Sequence, residues 1–382
     1  MAGSCRLFLM LLSAAVALGS VARPGVASDG WEQVTISTEG DNPFPRGSFA
    51  ATTSGKKSQG WLFGGVYDQF QPFPNPTLFD FFDDLFRIKL VQGGSKIRFD
   101  RVTTTGPAPS KRAFPSLAAV KRGQGDKVYL FGGGEYDDFS LSPAADKFWV
   151  YDEATNAWTD LSGLGGPGPR TGAALVADGT DLYLFGGVAP DGFLLTTYSD
   201  LWRFNTKTGV WTLLSDNGGP DPRHMAMATV IDNRLLIYGG ERIEISFFPE
   251  FSIEFPIDQS TWTWNLKHGG WTRLEDGPAR NYSAFASKGD FAILFGGDAA
   301  GGVDCEVAPF AQNPTNDTFA FHPSCGWFQL DLDDPPPPSK RTSGIVLGGR
   351  FYTFGGFDFV CDCCGGFSGQ VWNMSVHRVS VP

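Results

Sequence analysis

Six times along the 382 residues an apolar run ends in an aromatic ring directly before a glycine doublet. The copies are Trp61-Leu-Phe63-Gly64-Gly65, Val128-Tyr-Leu-Phe131-Gly132-Gly133, Leu182-Tyr-Leu-Phe185-Gly186-Gly187, Leu235-Leu-Ile-Tyr238-Gly239-Gly240, Ala292-Ile-Leu-Phe295-Gly296-Gly297 and Phe351-Tyr-Thr-Phe354-Gly355-Gly356. Successive copies lie 68, 54, 53, 57 and 59 residues apart. That interval is the period of a supersecondary unit, so the chain stacks similar units rather than building one irregular core. Other doublets, such as those at Gly93, Gly165 and Gly218, lack the preceding aromatic and mark only turns.

Two further marks keep phase with the doublets. An arginine stands 14 to 20 residues before each first glycine, at Arg46, Arg112, Arg170, Arg223, Arg280 and Arg341, and a short run of small and apolar residues follows it. Beyond each of the first five doublets comes an aromatic-x-x-(Val/Leu) segment: Phe99 to Val102, Trp158 to Leu161, Trp211 to Leu214, Trp271 to Leu274 and Trp327 to Leu330. A third segment lies between, as in Asp200-Leu201-Trp202-Arg203-Phe204. Each unit reads as a four-stranded antiparallel meander. The sixth lacks its last strand, but Trp31-Glu-Gln-Val34 supplies that signature at the start, so the first and last segments share a unit. Closure of this kind removes the two open sheet edges of a linear array.

These marks resemble kelch repeats, and six of them in register resemble a six-bladed kelch β-propeller, all-β, over residues 31–382. The regularity of the arginines argues that they tie loops together rather than touch a ligand. The tryptophans read as wedges between blades.

In such a meander the connections between strands two and three emerge on the same face as the links between blades. They cover 66–84, 134–146, 188–200, 241–258, 298–317 and 357–369, and hold 21 of the 41 acids but one of the 30 bases, Arg242. Asp84, Asp146, Asp200, Asp258 and Asp317 open strand three and read as scaffold. The same connections carry 15 of the 34 Phe, Phe70, Phe73, Phe79, Phe81, Phe82, Phe247, Phe248, Phe251 and Phe255 among them. An acidic, Phe-rich face suits a cationic or amine-bearing apolar partner, protein or small molecule, unless the loops pack on one another as a satellite core. A net charge of −11 without a basic block excludes nucleic acid. The reading is a binding module, and a monomer.

The resemblance narrows the mouth of the propeller to the residues after the repeated arginines: Gly47, Ala113, Thr171, His224, Asn281 and Thr342. Glu241, Asp298 and Asp358 stand just beyond their doublets. If the chain is an enzyme, it is a metal-free isomerase, cyclase or lyase using His224 with Glu241 or Asp298, a desolvated carboxylate of raised pKa serving as general acid. No cofactor or metal is expected. A copper radical oxidase needs paired His and Tyr ligands, whereas His224, His268, His322 and His377 are scattered singly. Nitrile-specifier kelch proteins use a Glu-x-x-x-Asp-x-x-x-His site, sialidase-type propellers a repeated Ser-x-Asp turn and serine hydrolases a Gly-x-Ser-x-Gly elbow; none stands in this sequence.

Residues 1–22 read as a secretory signal peptide, with Arg6 before an apolar run from Leu7 to Leu18 and Ser20-Val21-Ala22 as the cleavage site. Residues 23–30 form a linker. The run is too short to span a bilayer, so the product is expected to be secreted and extracellular. An exported chain oxidises its thiols, making Cys305 with Cys361, Cys363 or Cys364 a loop-to-loop disulfide candidate, and Cys325, at a strand three-to-four turn, the odd thiol. Sequons at Asn281, Asn316 and Asn373 mark glycosylation candidates.

Overall fold

The computed structural model describes residues 30–69, 78–123, 125–137, 140–192, 194–246, 252–303, 312–358 and 366–375. Alternating apolar residues drive each repeat into a four-stranded antiparallel sheet. Blade two shows the pattern: Ser116–Arg122 pairs with Gly125–Phe131, which pairs with Phe148–Asp152, which pairs with Ala157–Asp160. Blades three, four and five repeat it, and blade one adds Thr35–Ile36 as a fifth, parallel strand beside Lys96–Arg101. Blade six is built from both termini. Trp31–Gln33 pairs with Val371–Ser375 in the register Trp31 to Met374, so the expected closure of the ring is formed.

Cohesion lies between blades rather than at the axis. One buried cluster combines Phe49, Leu62 and Phe86 of blade one with Ile345, Tyr352 and Phe354 of blade six. Another joins Tyr129 and Phe148 of blade two to Leu182, Leu184 and Phe204 of blade three. The outer-strand tryptophans are the wedges expected. Trp158 meets Phe63 of the preceding blade at 5.7 Å, Trp271 meets Phe185 at 5.9 Å and Trp327 meets Tyr238 at 4.1 Å between ring centroids. Such pairs contribute about 0.5–1.5 kcal/mol each beyond the area they bury. Trp31 does the same for the closing seam, 4.8 Å from Phe295, with its indole N–H donating to Thr318 Oγ1 at 3.1 Å.

The doublets are explained by the same seams. At Gly132 the backbone is left-handed (φ +65°), and a Cβ would collide with the Arg170 carbonyl of the next blade. The following Gly133 N–H donates to that same carbonyl at 3.1 Å. Only glycine allows this approach.

The strand two-to-three connections are more ordered than loops. Each forms a two-stranded hairpin, from Val66–Gln69 with Leu78–Phe81 in blade one to Phe357–Asp358 with Gly366–Phe367 in blade six. Six hairpins thus crown one face.

Two expectations are corrected. Cys325 is disulfide-bonded rather than an odd thiol. It sits half-buried in the tight His322–Gly326 turn. The second correction is the register of blade six. Gly297 N–H donates to the Ser339 carbonyl, as Gly65, Gly133, Gly187 and Gly240 donate to those of Arg112, Arg170, Arg223 and Arg280. Ser339, not Arg341, therefore occupies the repeated-arginine position, and Lys340 takes the position assigned to Thr342.

Candidate functional site

The repeated arginines are framework. Arg46, Arg112, Arg170 and Arg223 reach Asp84, Asp146, Asp200 and Asp258 at 2.5, 2.6, 2.6 and 2.6 Å, and Arg280 pairs with Asp317. The first four also donate to the carbonyl of the first doublet glycine of their own blade. Each guanidinium thereby ties a blade-linking loop to strands two and three with charge-assisted bonds. The acids that open strand three are scaffold, as their spacing suggested.

The residue after each of the five arginines, and after Ser339 in blade six, forms a backbone bridge with the residue after a doublet: Gly47 with Val66, Ala113 with Gly134, Thr171 with Val188, His224 with Glu241, Asn281 with Asp298, and Lys340 with Phe357. One residue further on, the chain turns sharply at the axis. Ser48, Phe114, Gly172, Met225, Tyr282 and Arg341 all have φ between +52° and +61°. Left-handed backbone outside glycine is uncommon and concentrates at functional positions. These six residues line a cavity of about 200 Å³ at the mouth of the central channel.

Around that ring, backbone N–H groups of Ser48, Phe114, Gly172 and Met225 donate to the carbonyls of Arg341, Ser48, Phe114 and Gly172 at 2.7–3.1 Å. Among the described residues no such bond joins Met225 to Tyr282 or Tyr282 to Arg341. The ring is stitched over blades six, one, two, three and four. From blade four through five to six it is held by side chains instead.

Those side chains form the polar cluster of the mouth. Glu241 accepts from His224 Nε2 at 2.8 Å, from Tyr282 Oη at 3.0 Å and from Asn281 Nδ2 at 2.6 Å. Burial disfavours its charge, but His224, Tyr282 and Lys340 outweigh that and hold its carboxyl below the usual range. The general-acid expectation for Glu241 is thereby corrected: it is a carboxylate. Lys340 donates to Asp298 at 2.8 Å, both nearly fully buried, and desolvation pushes the Lys340 ammonium down to about 8. Arg341 donates to Asp68 of blade one at 2.7 Å, and the Tyr136 hydroxyl of blade two joins the same carboxylate at 3.1 Å. Burial drives the Tyr136 and Tyr282 phenols above their ordinary value. Among the described residues, the buried atoms of this cluster without a hydrogen-bond partner are His224 Nδ1, Asn281 Oδ1 and Arg341 Nε.

His224, Glu241, Asn281 and Asp298, picked out from sequence, are thus brought together, and Thr171 is buried at the equivalent bridge. Thr342 lines the mouth cavity beside Arg341 but makes no bond to the polar cluster among the described residues. Its hydroxyl contacts Thr353 Oγ1 at 2.7 Å and the Phe354 carbonyl at 3.0 Å inside blade six. Asp358 lies on the blade-six hairpin. Lys340, Arg341, Asp68, Tyr136 and Tyr282 were missed. A signal for the first two existed, since the 16-residue spacing from arginine to doublet in blades three to five, applied to Gly355, points to Ser339. Phe79 and Phe81 pack on Tyr136 at 5.0 and 5.3 Å, and Phe82 covers the Arg46 guanidinium at 3.9 Å, so these phenylalanines are half-buried by packing. Phe70, Phe73, Phe247, Phe248, Cys305, Cys361, Cys363 and Cys364 lie outside the described residues. The amides of Asn281 and Asn373 are buried and hydrogen-bonded, which leaves a glycan no room on the folded chain, whereas Asn316 is half-buried.

No described helix is long and apolar enough to cross a membrane, and no group of three or more metal-ligating side chains occurs among the described residues. A ring of six sheets with a polar mouth under a crown of hairpins defines a six-bladed β-propeller. A family model described as the KLHDC2/KLHL20/DRC7 Kelch-repeats domain matches residues 25–240. The chain belongs to the kelch-repeat family, whose propellers generally bind proteins. Among similar proteins, N-(sulfonatooxy)prop-2-enimidothioate sulfolyase of Thlaspi arvense is 26% identical over 66% of this chain and 72% of its own length. Kelch-like protein terF of Aspergillus terreus is 29% identical over 66% of this chain and 51% of its own. The human Rab9 effector protein with kelch motifs is 40% identical over 25% of this chain and 24% of its own. The chain thus spans from about a quarter to under three quarters of these relatives.

Proposed function

We propose that the chain is an exported, monomeric protein-binding propeller whose crown face takes a basic, apolar segment of a partner protein. The observation that carries this is the division of charge on that face. At the mouth, Asp68, Glu241 and Asp298 are paired with Arg341, His224 and Lys340. Around it, Asp80, Asp83, Glu135, Asp137, Asp191 and Glu254 are exposed on the crown, and Leu78 and Leu194 are 53% and 38% exposed beside them. Exposed acids steer a cationic partner, and exposed leucines give it apolar area. The test is capture of an amphipathic Lys/Leu peptide by the purified chain from residue 23 onward. Binding is expected to weaken by about tenfold or more between low and physiological salt, and again with Asp80→Lys plus Glu135→Lys. Salt-insensitive binding, or equal capture of a Glu/Leu peptide, overturns the reading.

A second reading is favoured by the sulfolyase relative and by His224, whose Nδ1 is buried without a partner while its Nε2 is fixed by Glu241. It makes His224 an acid–base group of a lyase or isomerase, oriented by the Glu241 carboxylate. Any turnover detected must then fall by about 10²-fold or more in His224→Ala. Unchanged turnover in that variant and in Glu241→Gln ends it.

A further inference from the structure

The broken repeat in blade six leaves a cavity that the other blades fill with their own chain. In blades two, three and four the arginine Nε donates to the carbonyl two residues upstream, at Ser110, Gly168 and Asp221, and Nη1 donates to the first doublet glycine. The equivalent acceptors of blade six are the carbonyls of Pro337 and Gly355. With Ser339 in place of the arginine, Pro337 and Gly355 line a cavity of about 270 Å³ together with Trp372, Phe354, Asp358 and Gln370. Ser339, a lining residue of this cavity, is 8% exposed, and its Oγ has no hydrogen-bond partner among the described residues. Gln370 stands where blades one, three and five place an aspartate, and its Oε1 accepts from the Trp372 indole as Asp200 accepts from Trp202. The slot opens outward, since Pro337, Pro338, Gly369 and Gln370 are exposed.

We propose that this slot binds a guanidinium group, the arginine side chain of an incoming peptide, in the place that the chain's own arginine holds in blades one to five. The acceptors are carbonyls of residues fixed by the blade, and the side walls are aromatic. A flat guanidinium matches such a site better than an ammonium, because several N–H groups diverge in one plane and its faces stack on rings. The site is separate from the mouth and does not rest on the reading of the crown.

The experiment is titration of the folded chain with N-acetyl-arginine methylamide, followed through the Trp372 indole N–H resonance, with N-acetyl-lysine methylamide as comparator. Saturable arginine binding in the millimolar range is expected, about tenfold tighter than lysine. Ser339→Arg fills the slot from within and is expected to abolish the shift. Gln370→Asp restores the acid of the other blades and is expected to tighten binding severalfold without altering the fold. Equal affinity for both amides, arginine binding undiminished in Ser339→Arg, or no effect of Gln370→Asp each overturns the proposal. A mouth-directed peptide that still binds Ser339→Arg shows the two sites to be distinct.

Discussion

Arg112 is fully buried, and its charge is balanced by Asp146, by the Gly132 carbonyl and by Ser110. Removing it leaves Asp146 without its cation and several acceptors without donors. Arg112→Ala is therefore expected to cost about 3–5 kcal/mol, read as a fall in the midpoint of denaturant unfolding. The same truncation at Arg341, which belongs to the mouth and not to the arginine frame, is expected to cost about as much, because it strands the Asp68 carboxylate, whose side chain is 2% exposed. This distinction was invisible from residue type alone. Ser339-Lys340-Arg341 offers one arginine at nearly the right distance, and only the backbone bond from Gly297 to Ser339 fixes which residue plays which part. His224 and Glu241 were legible because each stands at a fixed offset from a repeated mark. Asp68 and Tyr136 carry no such offset, and their place beside Arg341 follows from three separate blades converging on the axis.

A blade cannot bury both of its faces alone, so its stability is largely that of its seams. The seam between blades five and six takes its wedge, Trp31, from the distant N-terminal strand. Trp31 is 3% exposed, wedged between Phe295 and Phe351. Trp31→Ala is expected to cost about 3–5 kcal/mol, and denaturant unfolding with tryptophan fluorescence checks it. A broadened transition, with blades five and six loosening before the rest, is the accompanying expectation, since the opened ring regains two unprotected edges. Strand placement was legible because alternation and the aromatic-x-x-(Val/Leu) mark are local. The crown hairpins were not, because their pairing, as in Glu244 to Glu254 with Ile245 to Ile253, lies in segments read as loops from their Gly, Pro and acid content.

Across the whole molecule the buried ion pairs make stability depend on pH in two opposite ways. Carboxyls held below their ordinary values, Asp146, Asp258 and Glu241 among them, stabilise the fold above the unfolded carboxylate range. That contribution is lost as pH falls through their folded values. Lys340 acts in the other direction. Its ammonium is pushed down to about 8 from an ordinary 10.5, so between those values the unfolded chain binds the extra proton and stability rises with pH. The unfolding midpoint of the wild type is expected to drop steeply in acid and to gain between about pH 8 and 10.5. Lys340→Gln is expected to remove the alkaline gain and leave the acid limb. A wild-type profile that falls between pH 8 and 10 contradicts the buried state of this lysine.

The repeat, the number of blades and the closing strand were determined by the sequence itself, because each is written in short-range marks that recur at one period and need no knowledge of what lies opposite. What the tertiary structure alone decided is which residues meet at the axis and at the broken sixth repeat. The pairing of Glu241 with His224 and Tyr282, of Asp68 with Arg341, and the cavity beside Ser339 arise where six linking turns converge or where one blade departs from the others. Convergence of that kind depends on the angle between sheets and on burial, which set distances between residues hundreds of positions apart and leave no periodic trace along the chain.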